Sequence, residues 1–169
     1  MTGDASEPAP GNARTAPDRT RKGDYCAAVD ENRRRLSRDE SIALLARPVT
    51  GVFSTLHEAG WIHSVPVHFR YAGGEILVLA EAAAVKSRNA VRSGHATLCV
   101  DVTDGPVRSY VSVSGPVTTR RPPPMADLVA LDEKYGRDDF AGGWDADDLA
   151  AALLLVLRAE RWIAWADWD

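Results

Sequence analysis

The sequence predicts a mainly β domain of the α+β class, built of antiparallel strands with a few short flanking helices. From Thr50 onward, β-branched and aromatic residues alternate with polar ones at a period of two. The runs are separated by turns of a few residues, Glu58-Ala59-Gly60 and Ala72-Gly73-Gly74 among them, and connections this short cannot make parallel crossovers. Helical patterning is confined to short stretches, with no internal repeat and no β-α-β alternation.

In chain order, residues 1–22 combine Pro, Gly, Thr and charge without hydrophobic periodicity; they are expected to form a disordered tail ahead of one domain over 23–169. The run Arg33-Arg34-Arg35 reads as a solvated face before a helix. Ser37 and Glu40 make a capping box that opens this helix, and Pro48 stops it. Strands are predicted over 52–57, 61–71 and 75–81, then a helix over 82–93 ended by Gly94. The sheet resumes over 95–102, with Ala96, Leu98, Val100 and Val102 on one face. Asp104-Gly105-Pro106 turns the chain into a strand over 109–119. After Pro122-Pro123-Pro124, a helix is predicted over 125–135 with Leu128 and Leu131 on one side. Gly142-Gly143 breaks the pattern, a helical stretch follows over 145–152, and a single last strand runs within 153–165.

The length of 169 residues suits one barrel-sized domain. A hydrophobic content of 45%, a charged content of 26% and a net charge of -4 describe an ordinary soluble protein and predict no general affinity for nucleic acid or anionic membrane. The longest apolar run, near 150–157, falls far short of the roughly 20 residues that cross a bilayer. The amino terminus lacks the pattern of a secretory signal, so a cytoplasmic location is expected. Cys26 and Cys99 lie too far apart in sequence to suggest a disulfide framework. His57, His63, His68 and His95 show no ligand spacing, so no metal site is expected.

Two stretches carry candidate chemistry. On the strand over 61–71, Pro66 cannot donate to a ladder, which puts it on an edge or where a ligand replaces a neighbouring strand. At the strand-to-helix junction Ala82-Ala83-Ala84-Val85-Lys86, free first-turn amides and the helix dipole can receive an anion. Lys86 and Asn89 share a helix face there and would add a point charge and a hydrogen bond, the competing reading being a solvated lysine. Trp144, Trp162, Trp165 and Trp168 suggest a buried seam or a stacking surface.

The order of these elements resembles the pyridoxamine-phosphate-oxidase-like, FMN-binding split-barrel superfamily, including its deazaflavin-dependent branch. The likeness spans about residues 36–169. It rests on Leu36-Ser37 with Glu40, on Val65-Pro66-Val67-His68-Phe69, on Lys86-Ser87-Arg88-Asn89, on Tyr110 through Gly115 and on Arg161 through Trp165. The resemblance implies a split β-barrel that pairs as a homodimer and binds FMN or the deazaflavin coenzyme F420, with the ring beside Ser64-Val65-Pro66 and the phosphate near Lys86. The candidate cofactor set is therefore Ser64, Val65, Pro66, Val67, His68, Glu81, Lys86 and Asn89. The implied activity is an oxidoreductase passing a hydride to a small organic substrate, with His68 and Tyr110 as candidate proton donors and the catalytic residues otherwise open. The alternative is a non-catalytic carrier or sensor for a flavin, a haem or another tetrapyrrole. Where many relatives carry basic or hydroxyl residues before the lysine, this chain has Ala82-Ala83-Ala84. That leaves a weaker phosphate seat, a different cofactor, or reliance on Arg88 and backbone amides.

Overall fold

The computed structural model describes residues 32–137 and 145–168; the predicted tail, Cys26, Gly142-Gly143 and Trp144 lie outside the described residues. The elements are β1 (Arg33–Arg35), α1 (Arg38–Ala46), β2 (Gly51–Leu56), β3 (Ile62–Val67), β4 (Arg70–Ala72), β5 (Glu75–Glu81), α2 (Val85–Ser93), β6 (His95–Asp104), β7 (Val107–Arg120), α3 (Met125–Lys134), α4 (Ala146–Ala151), β8 (Ala152–Arg158) and β9 (Arg161–Trp168). Every ladder is antiparallel, in the order β3-β2-β6-β7-β8-β5-β4, with β9 pairing both β7 and β1. The predicted class, a mainly β sheet with short flanking helices, is the one observed.

Local signals explain several boundaries. Ser37 Oγ accepts from the Glu40 amide while the Glu40 carboxylate accepts from the Ser37 amide, so the capping box opens α1. Gly94, with φ of 68°, ends α2 in the left-handed region that a residue without Cβ enters freely. The core, filled by Phe53, Phe69, Leu98, Val100, Val111 and Leu155, lies between the two halves of the curled sheet.

Three expectations are corrected. The predicted strand over 61–71 breaks at His68-Phe69 into β3 and β4, which are the two ends of the sheet path. Pro66 supplies no N–H to extend the ladder, and the chain crosses from one sheet edge to the other. The single last strand is instead the hairpin β8–β9, turned at Ala159-Glu160 without Gly or Pro. This turn is held from outside: the Ala159 amide donates to Gly74 O at 2.9 Å and the Glu160 amide to Ser114 O at 3.2 Å. Arg33-Arg34-Arg35 is the strand β1 and not a bare lead into the helix, although Arg34 and Arg35 are exposed as expected; Arg33 Nε lies 3.0 Å from Asp167 of β9, and Arg34 pairs with Glu40.

The long strand β7 divides the barrel. One edge pairs β6 over Val107–Pro116, whereas the other pairs β9 over Val107–Ser114 and β8 over Val117–Arg120. Gly115 sits at this change of partner, where a Cβ would collide with the Arg158 carbonyl oxygen. Gly115→Ala is therefore expected to destabilise the fold at or above the upper end of the ~1–3 kcal/mol typical of overpacking. The midpoint of urea unfolding checks this, and an unchanged midpoint would refute the close packing of β8–β9 on β7.

Candidate functional site

The sheet edges and α3 enclose a cavity of about 510 Å³ lined by Pro66, Val67, His68, Leu79, Ala80, Glu81, Ala84, Lys86, Leu131, Asp132, Tyr135 and Arg137. Of the candidate set, Pro66, Val67, His68, Glu81 and Lys86 meet there. Ser64 and Val65 do not line it. Ser64 Oγ lies 2.8 Å from Ser54 Oγ on the exposed sheet face, and Val65 packs against the core. Asn89 is buried, and its amide donates to Thr55 Oγ1 at 3.3 Å, tying α2 to β2 instead of facing the cavity.

The anion end of the cavity is made by the turn from β5 into α2. Ser87 Oγ donates to Glu81 O at 2.7 Å and fixes this turn. Ala84, the residue before the helix, offers no side-chain cap; the Ser87 amide turns back to Ala84 O at 3.1 Å, which leaves the Val85 and Lys86 amides available to a ligand. Arg88, exposed, donates to the Ala83 carbonyl.

The opposite wall comes from the end of α3. Phe69 is fully buried, and its backbone has left the ladder. Its amide donates to Tyr135 Oη at 3.0 Å, and its carbonyl accepts from Lys134 Nζ at 2.8 Å. Lys134 also donates to Leu45 O at 2.9 Å and lies 3.5 Å from the Phe69 ring centroid. Tyr135 stacks on His68, with ring centroids 4.1 Å apart. In the first turn of α3, Asp127 lies between Arg70 and Arg120, and Arg120 also pairs with Glu75 at 2.6 Å.

These surroundings set protonation. Burial, then Arg137 and Lys134, pushes His68 down, which favours a neutral imidazole at neutral pH. Burial raises the Tyr135 phenol and lowers Lys134 to about 8. The two carbonyls and the Phe69 ring act on Lys134 in the opposite direction, since all three favour the ammonium. Tyr110, the other candidate proton donor, accepts from Arg33 at 2.7 Å and does not line the cavity. The Cys99 thiol is raised by burial and then by Asp101, against a role as nucleophile.

No family model matches the chain, and no curated protein does. Solved structures do. An F420 reductase is 22% identical, with 72% of this chain and 94% of that one covered and a TM-score of 0.60. A pyridoxamine 5'-phosphate oxidase-like protein from Listeria innocua is 13% identical, with 75% and 95% covered and a TM-score of 0.59. The fold is the split β-barrel. A third structure with this split barrel, an FAD and heme binding protein from Mycobacterium smegmatis, is 17% identical, with 82% and 74% covered and a TM-score of 0.61.

Sequence reasoning missed Tyr135, Arg137, Leu131 and Asp132. The periodicity of α3 identifies Leu131 as apolar, but no local pattern says which part of the split barrel the end of this helix meets.

Lys134 yields a pH test. Its folded pKa of about 8 lies below the ordinary 10.5, so between these values the unfolded chain binds more protons and stability rises with pH. Because the group is only half-buried, solvent screening reduces the gain to on the order of 1 kcal/mol. Lys134→Met should lack this rise in urea unfolding measured from pH 8 to pH 10.5. Parallel curves for the two proteins would show that the carbonyls hold the ammonium at its ordinary value.

Proposed function

We propose that this chain is an oxidoreductase that holds a flavin or deazaflavin, FMN or F420, in the cavity between Lys86 and Tyr135. The observation that carries the reading is the joint lining of one cavity by Lys86 at an uncapped helix start and by the Pro66-Val67-His68 strand end. The donor set suits a planar ring with an anionic tail: an ammonium and free amides at one end, and apolar and aromatic walls at the other. A volume of about 510 Å³ is in the range of small-molecule sites. The fold shared with an F420 reductase and with an FAD and heme binding protein supports the same reading.

When bound, the cofactor would supply hydride transfer to a small organic substrate. The chain's own residues bind and orient it. Lys86 and the α2 amides take the anionic tail, Pro66 and Val67 present a wall without a competing ladder donor, and Leu79 and Leu131 exclude water. His68, neutral and held by the Tyr135 stack, offers the ring one polar contact at a fixed orientation. The second reading is a carrier that binds without turnover. It is favoured by the likeness to the FAD and heme binding protein and by the one imidazole, His68, among the cavity residues.

We further propose that the working unit is a homodimer. Ladder registers put Ile62, Ser64 and Pro66 of β3, Val52 and Leu56 of β2, Thr97 of β6, Ser114 of β7, and Arg161 and Ile163 of β9 on one side of a five-stranded face. Val52, Leu56, Ile62 and Ile163 are between 42% and 62% exposed there, an apolar patch that a second copy would cover. Pro66 belongs both to this face and to the cavity, so a second copy would complete the cavity wall.

Fluorescence titration with FMN and with F420 tests the cofactor site. Lys86→Ala is expected to weaken the bound cofactor at least tenfold, and equal affinities would remove Lys86 from the site. The absorbance of the purified protein separates the readings, a flavin or deazaflavin band favouring the first and a haem Soret band the second. For the assembly, sedimentation should show a dimer that Ile163→Glu converts to a monomer, and a monomeric wild type would end the pairing proposal.

A further inference from the structure

A second recess, of about 350 Å³, lies away from the cavity, between β1, the start of α1 and β9. Its walls include Arg35, Arg38, Ser41, Trp162 and Trp165, and no carboxylate lines it. The arginines lie over the indoles: the guanidinium carbon of Arg38 is 3.9 Å from the Trp162 ring centroid, while those of Arg33 and Arg35 are 4.3 Å and 5.0 Å from that of Trp165. Arg33 is engaged by Asp167 and Tyr110, and Arg34 by Glu40. The guanidinium groups of Arg35 and Arg38 make no ion pair or hydrogen bond among the described residues.

Cation–π attraction holds a guanidinium over an indole without using up its N–H donors, which stay available to a ligand. It also removes rotamer freedom before any ligand arrives, so less is lost on binding. Two such groups at the rim of one apolar-backed recess suit an oxyanion with several acceptor oxygens, and a phosphate presents three to a pair of arginines. At about 30 Å³ per water, the recess has room for roughly ten waters, enough for a phosphate group.

We propose that Arg35 and Arg38 form an anion site for a phosphate ester, distinct from the Lys86 cavity and independent of how that cavity is read. Tryptophan fluorescence reports on the site directly, because Trp162 and Trp165 form its walls. The full chain is titrated with inorganic phosphate, and separately with acetate, at constant ionic strength.

A saturable change with phosphate, weaker with acetate, is expected in the wild type and in Lys86→Ala. It should be at least tenfold weaker in Arg35→Gln/Arg38→Gln, whose melting is followed by circular dichroism. Arg38→Lys keeps the charge without the planar donor set and should weaken binding at least threefold, an arm that stands even if the double variant fails to fold. The proposal is overturned by no saturable change in the wild type, by equal responses to acetate and phosphate, or by unchanged affinity in Arg38→Lys. A response lost in Lys86→Ala but kept in the double variant would assign the phosphate to the cavity, and dissociation of a dimer in the double variant without any anion response would assign the arginines to contact between copies; either would also overturn it.

Discussion

Phe69 is fully buried at the point where the chain leaves β3 for β4, and a peptide group buried outside a ladder must find other partners. The end of α3 provides them: Tyr135 Oη takes the Phe69 amide, and Lys134 Nζ donates to its carbonyl. An unsatisfied amide at such a place costs about 1–3 kcal/mol, so the position of α3 is tied to the break in the strand. The same contact sets Tyr135 against His68 and brings Leu131 and Arg137 to the cavity. Closure of the sheet and construction of the candidate site are thus one arrangement.

A second constraint acts at Gly115. One strand pairs with both β8 and β9 along a single edge only if the turn between them comes close to its backbone, and the absent side chain at Gly115 leaves that space. The two sheet halves diverge from there. On one side β8, buried along nearly its whole length, closes the core; on the other β9 extends the exposed face and carries the indoles against the β1 arginines. The cavity, the exposed sheet face and the arginine recess all follow from how β7 shares its edge.

Most strands, their turns and most helix ends were legible because their causes are local, whereas β1 was not, since it is a strand only through its pairing with β9. The capping box at Ser37 and Glu40, the stop at Gly94 and the period of two from Thr50 each depend on residues a few positions apart. Two boundaries were not legible. Nothing between Leu153 and Trp165 marks the turn at Ala159-Glu160, because Gly74 and Ser114 hold it. The break at His68-Phe69 likewise depends on a helix end far along the chain. Pro66 and Lys86 were readable as candidates from a missing donor and a helix start. Asn89 shares the helix face expected of a ligand contact, yet Thr55 takes its amide.

What the sequence determined by itself is therefore the alphabet of short antiparallel strands, the places where they turn, and an anion-suited helix start at Lys86. The tertiary structure decided which side chains face that start. Lys134 reaches Leu45 and Phe69 across sequence separations of 89 and 65 residues, and Tyr135 reaches Val49 across 86. The physical reason is that periodicity and capping act between neighbours, whereas the order in which strands pair decides which distant groups share a wall, and no local pattern of polarity encodes that order.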